Sequence, residues 1–225
     1  MTGVHQSISG SRTVYNTPTI VSTVTATGLS ADFSSIPMPS GVLAGRLLIF
    51  SVTNPSTVVP GAPSNPTGCT ALAQTSGTGG TAQSTFYKVL TGSESGNIIC
   101  DLTGSAIDWA GWAMIISSRQ GNPEISVLAA ATTTTPDPPS ITPTWGLSNA
   151  SLIITSLSTD QVSTTNPILS YPTNYINTQN IGAATCNASF GLATRTKFFS
   201  VEDPSTFTFT STTRYVAHTI AVRSS

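Results

Sequence analysis

The apolar and β-branched residues of this chain come in short runs, each fenced by proline, glycine, serine or asparagine. The runs are TIVSTVTA (19–26), RLLIFSVT (46–53), STFYKVL (84–90), NIICDL (97–102), WAMIISS (112–118), SLIITSLS (151–158), FTFTS (207–211) and YVAHTIAV (215–222). Between them lie turn clusters such as NPSTVVPGAPSNPTG (54–68), SGTGG (76–80) and TPDPPS (135–140). Branched and aromatic residues suit a pleated strand, and turn formers at this spacing give the rhythm of a sandwich or barrel.

Charge argues the same way. Only 8% of the 225 residues are charged, against roughly 25% in ordinary domains. Exposed helix faces are usually built from Glu, Lys and Arg, so little is left from which to make helices. The expected fold is all-β: a jelly-roll-like antiparallel β-sandwich, large enough to bury a core without disulfides or metal.

Two strands alternate clearly. In FTFTS, Phe207 and Phe209 share one face; in YVAHTIAV, Val216, His218, Ile220 and Val222 oppose Tyr215, Ala217, Thr219 and Ala221. The second face of each is expected to be wet or partly covered. RLLIFSV and WAMIISS are apolar on both faces and belong at the centre of a sheet.

The sequence also echoes itself. GRLLIFSVTN (45–54) resembles ASLIITSLST (150–159), and WAMIISSR (112–119) resembles VAHTIAVR (216–223). Each pair is separated by a loop-rich stretch and an expected hairpin, KVLTGSESGNIICDL (88–102) in one case and KFFSVEDPSTFTFTS (197–211) in the other. The echo fits two pseudo-equivalent halves of one sandwich, about 19–131 and 140–225 behind an N-terminal arm of 1–18, with TTTTPDPP (132–139) as the crossover. Two small domains joined by that segment are the alternative.

Most chemistry is excluded by what is missing. With 8 Lys plus Arg against 9 Asp plus Glu, no basic field is available to neutralise phosphates, so no nucleic-acid partner is expected. The longest apolar run, near Trp112 to Ile116, is far short of the roughly 20 residues that cross a bilayer, so no membrane partner is expected. The start, MTGVHQSISGSRTV, lacks the basic and apolar regions of a secretory signal, so the chain reads as made in the cytosol or already processed, and Met1 favours the first.

Cys69, Cys100 and Cys186 are odd in number and widely spaced, which suits isolated buried thiols. His5 and His218 are the only histidines, too few for a histidine metal site, and His218 reads as a core or interface imidazole. The string Gly146-Leu147-Ser148-Asn149-Ala150 lacks the second glycine of a nucleophile elbow and precedes a strand instead of a helix. Asp101, Asp108, Glu202 and Asp203 are the carboxylates available to glycoside chemistry. Glu94 and the Glu202-Asp203-Pro204 turn fall at corresponding places in the two echoes, which points to a repeated turn device. No catalytic residue, cofactor or metal is expected, and the chain reads as no enzyme. The remaining binding candidates are aromatics: Tyr171 and Tyr175, flanking the loop YPTNY, are the possible surface contacts, with Trp109 and Trp145 beside strand boundaries.

Four strings taken together, PMPSGVLAGRLLIFSV (37–52), GCTALAQTSGTGG (68–80), STFYKVLTGSESG (84–96) and WAMIISSRQGNP (112–123), resemble a jelly-roll-like module of tailed-bacteriophage structural proteins. ATRTKFFSVEDPSTFTFTSTTRYVAHTIAVR (193–223) resembles that module's closing strands. Arg46 stands where the module usually has Asp, and Cys69 where it has Trp. The resemblance implies a virion component, as capsid decoration, minor capsid or head-fibre protein, or a tail-fibre subunit that binds a host surface polysaccharide. Its implied partners are a major capsid or tail protein and further copies of itself.

Overall fold

A computed structural model describes residues 16–77, 80–103, 106–160, 168–182 and 185–225. Most of the expected arm 1–18, His5 included, lies outside them. Two groups of strands follow one another along the chain. The first is β1 (Thr19–Ala31), β2 (Phe33–Pro37), β3 (Leu47–Asn54), β4 (Pro63–Asn65), β5 (Thr70–Gly77), β6 (Thr81–Val89), β7 (Asn97–Asp101) and β8 (Ile107–Ser117). The second is β9 (Glu124–Thr133), β10 (Ala150–Thr159), β11 (Ile168–Ser170), β12 (Ile176–Ile181), β13 (Ser189–Phe198), β14 (Thr208–Phe209) and β15 (Thr213–Arg223).

Each group builds its own five-stranded antiparallel sheet, and the two sheets share one topology. The first has the order β1-β8-β3-β6-β5, the second β9-β15-β10-β13-β12. Each sheet carries a smaller outer layer. In the first half this is β2-β7-β4. In the second, β14 pairs with β11 on one side, and on the other Phe207 and Phe209 donate their N–H groups to the carbonyls of Pro136 and Thr134 at 2.9 Å. Both halves are therefore jelly-roll-like, with the β5 and β12 strands hydrogen-bonded into the main sheet.

The two five-stranded sheets stack face to face, so the layers run outer, main, main, outer. The central apolar layer joins Leu47, Ile49, Trp112 and Met114 of the first half to Leu152, Ile154, Phe190 and Ile220 of the second. Leu48, Phe50 and Val52, on the other face of β3, pack against Ile36, Ile98 and Leu102 beneath the first outer layer. A strand lying between two layers must be apolar on both faces, which accounts for RLLIFSV and WAMIISS. The same position corrects the expectation for β15: Tyr215, Ala217, Thr219 and Ala221 are as buried as the residues they oppose.

The expected hairpins at 88–102 and 197–211 do not form. β6 and β7 lie in different sheets, as do β13 and β14. Each segment is instead an arch from main sheet to outer layer, because Leu90, Ile98 and Leu102 all point into the core between them. The boundary between the halves also moves. β9 pairs with β15, so the chain crosses over at 118–123, where Ser118 and Gly121 have positive φ. Of TTTTPDPP, Thr132 and Thr133 end β9 in the main sheet, and the segment from Thr134 on joins the second half's outer layer.

The repeat holds at residue level. Leu47 faces Ile116 and Val89 across its two ladders, and Leu152 faces Val222 and Thr196. On this register Ser51 corresponds to Ser156 and Trp112 to His218. The likeness between 112–119 and 216–223 is thus two residues out of structural register, although the strands correspond.

Candidate functional site

The central layer is apolar at one end and polar at the other. Ser51 on β3 and Thr85 and Gln83 on β6 point between the sheets towards Ser156 on β10 and His218 on β15, and all are fully buried. The Gln83 amide donates to Ser156 Oγ at 2.9 Å and to Ser51 Oγ at 3.1 Å. Ser51 and Thr85 hydroxyls lie 2.8 Å apart. His218 Nδ1 is 2.8 Å from Thr85 Oγ1 and its Nε2 is 3.1 Å from Thr75 Oγ1 on β5. A neutral imidazole donates from one nitrogen and accepts at the other, so two hydroxyls satisfy it completely. Burial pushes its pKa from 6.5 down to about 3.

This cluster is a connected polar grouping within the core. Thr75 at its rim is partly exposed and the other members are buried; all are neutral hydroxyls, an amide and a neutral ring. Such a set fixes how two sheets meet, since any slip leaves buried donors unpaired. Sequence reading placed His218 here but missed its partners. In a Thr/Ser-rich chain the only signal was the position of Ser51, Thr53, Ser156 and Ser158 inside runs that are otherwise apolar on both faces.

The candidate carboxylates divide between the two arches and the ends of β7 and β8. Glu94 accepts from the Thr91 N–H at 3.0 Å, the Gly92 N–H at 3.1 Å and the Thr91 hydroxyl at 3.0 Å, with Lys88 Nζ at 3.2 Å. Burial alone would raise its pKa; the Thr91 donors and Lys88 outweigh it and bring the value from 4.5 to about 2. Glu202, in the corresponding arch, meets Arg195 at 3.3 Å, Lys197 at 2.6 Å and the Tyr175 hydroxyl at 3.0 Å. Lys88 and Arg195 occupy the same register, opposite Leu48 and Ile153. A carboxylate tied to the preceding strand's cation is therefore a device used twice.

Asp101 accepts from the Thr103 N–H at 2.7 Å and caps its own turn. Asp108 joins the halves, accepting from the Ser30 N–H at 3.2 Å and the Asn187 N–H at 3.1 Å. Asp203 is exposed beside Glu202. The structure brings no pair of these four together with a cleft between them, and the nearest carboxylate neighbours, Glu202 and Asp203, sit in one turn.

Tyr175 is not a surface contact. It is 8% exposed, with its ring against Ile141, Ile153 and Phe199 and its hydroxyl donated to Glu202. Tyr171 is half-buried and meets Phe207 edge-on, at 5.7 Å between centroids. Both rings are drawn inwards because the second main sheet offers Thr155 and Ala193 at the register where the first offers the stacked pair Phe50 and Phe86. Trp109 is buried, and Trp145 donates its indole N–H to Ser151 Oγ at 2.9 Å.

The remaining candidates are structural as well. The three cysteines are free thiols; burial pushes Cys69 to about 11 and Cys100 to about 12. Gly146–Ser148 form a single 3-10 turn that leads into β10, without a helix behind it. Two shallow hollows, of about 320 and 200 Å³, lie along the seam between β1 and β12.

No family model matches this chain, and neither a curated protein nor a solved structure does so.

Proposed function

We propose that this chain is a non-enzymatic structural protein of a tailed-phage particle, carried on its outside as a capsid decoration, minor capsid or head-fibre protein. The observation that carries the reading is where the polar chemistry goes. The buried histidine, Glu94, Glu202 and Asp108 are each bound to partners within the fold, and what they secure is two copies of one jelly-roll-like topology stacked on each other. A body of this kind offers a large, weakly charged, Thr/Ser-faced surface suited to repeated side-by-side assembly. The resemblance of 37–123 and 193–223 to phage modules supplies the setting.

The head is favoured over the tail because the sequence has neither heptads nor short β-helix repeats from which to make a fibrous stem. A tail-fibre role in binding host polysaccharide called on Tyr171 and Tyr175 as stacking platforms, and the burial of Tyr175 removes one of them.

Mass spectrometry of purified heads and purified tails tests the proposal. Stoichiometric recovery with heads is the expected result. Recovery in neither fraction, or turnover of a host glycan by the purified chain, would overturn it.

A further inference from the structure

The four edges of the two main sheets are treated differently. On one flank β5 lies over β9, with Cα atoms within 8 Å. The loop after β3 also runs along β5: Gln74 Nε2 donates to the Pro60 carbonyl at 2.9 Å and Ser76 Oγ to the Thr57 carbonyl at 2.8 Å. That flank is closed by the chain itself. On the other flank β1 pairs only with β8 and β12 only with β13. Among the described residues no strand forms a ladder with the outer edge of either, and the two hollows mark the open seam between them.

Free edges are templates for pairing, and soluble proteins usually blunt them with charge, proline, bulges or a covering segment. β1 has register shifts at Ile20–Ser22 and Gly28–Ala31 and β12 one at Ile176–Gln179, which leaves Ser22–Gly28 and Gln179–Ile181 regular. Here residues 19–31 and 176–182 contain no ionisable charge and no proline. Ile176 and Leu29 stand on this flank 64% and 49% exposed. β1 is 13 residues long, so at about 3.3 Å per residue the edge runs for about 43 Å. β12 has six residues and runs for about 20 Å. Two layers about 10 Å apart make the flank about 15–20 Å tall over that stretch and about half as tall beyond it, hence roughly 550 Å² per partner and about 1,100 Å² in total, at the lower end of specific interfaces.

We infer that the β1/β12 flank is where a second copy of this chain docks, edge strand against edge strand. A two-fold axis normal to the sheets sets β1 antiparallel to the partner's β1 and β12 antiparallel to the partner's β12 at one stroke, extending both main sheets into the second molecule. Such an interface is self-complementary; the two edge strands carry no charge of their own, and Arg195, which lines the larger hollow, is neutralised by Glu202. The inference stands whether or not the chain belongs to a virion.

Sedimentation of the purified full chain across a concentration series reads the assembly, and hydrogen exchange locates it. A dimer is expected, with the amides of β1 and β12 protected in the dimer and exchanging on dilution. Thr25→Lys with Gln179→Lys, both at exposed positions, places like charges across the interface and should weaken association by about tenfold or more. A chain that stays monomeric, a dimer whose β1 and β12 amides exchange freely, or a double variant that associates as the parent does would each overturn the inference. A monomer that associates only after residues 1–15 are removed would assign the flank to that segment instead.

Discussion

His218 Nδ1 and Thr85 Oγ1 lie 2.8 Å apart across the plane where the two halves join. The imidazole can hold this position only while neutral, since protonation would bury a charge and turn its accepting nitrogen into a second donor. Its pKa is about 3 in the folded chain and 6.5 when free. The unfolded chain therefore takes up the proton first. Stability is complete above pH 6.5 and declines as pH falls through the window towards 3, by about 2 kcal/mol at pH 5. Urea unfolding at pH 7.5 and 5 should show this difference, and His218→Gln should abolish most of it. An equal loss in that variant would remove His218 as the cause.

Glu94 acts in a lower window. Its carboxyl has a depressed pKa of about 2 against 4.5, so its contribution is present above 4.5 and is lost as pH falls towards 2. Glu94→Gln should cost about 1–2 kcal/mol at pH 7, after allowing for solvent screening of the Lys88 pair. The gap between variant and parent should close progressively below pH 4.5. A gap that stays constant with pH would show that the cost is one of packing.

Tyr175→Phe separates a structural role from a binding one. The hydroxyl donates to Glu202, whose side chain is 2% exposed, and its removal should cost about 1.5–3 kcal/mol in chemical unfolding. If the variant were as stable as the parent but lost retention on a host glycan, the hydroxyl would serve binding and not the fold.

How far the sequence could be read depended on where each segment lies between layers. β3 and β8 were legible as central because both their faces are buried and apolar, whereas β15, with His218 and Thr219 in its run, was legible as a strand but read as having one wet face. β12, INTQNI, was invisible to any hydrophobic pattern: it is an edge strand with five of its six residues exposed. β7 was read as the return strand of a hairpin because consecutive strands usually pair, and only the apolar filling beneath Ile98 and Leu102 decides that it crosses to another layer. The polar cluster around His218 was hidden for a different reason. Thr75, Thr85 and Ser156 are of the same types as the many hydroxyl residues that face water, so nothing local distinguishes a hydroxyl that holds two sheets together from one that is merely solvated.

Gly28 and Trp109 sit opposite each other on β1 and β8, and the indole lies across the glycine. A Cβ added at Gly28 would fall 2.2 Å from Trp109 Nε1, inside any allowed contact. The ring has little room to retreat, being 3% exposed and packed among the apolar residues beneath the first half's outer layer, while the Trp109 carbonyl accepts from the Cys186 thiol at 3.4 Å. Gly28→Ala must therefore displace a side chain buried in the core beneath the first half's outer layer, at a cost of about 1–3 kcal/mol. Thermal unfolding should show the loss, and tryptophan emission should shift to the red as the indole meets solvent. An unchanged midpoint with unchanged emission would mean that β1 swings away from β8 at no cost, and would count equally against β1 as the firm edge on which a second copy docks.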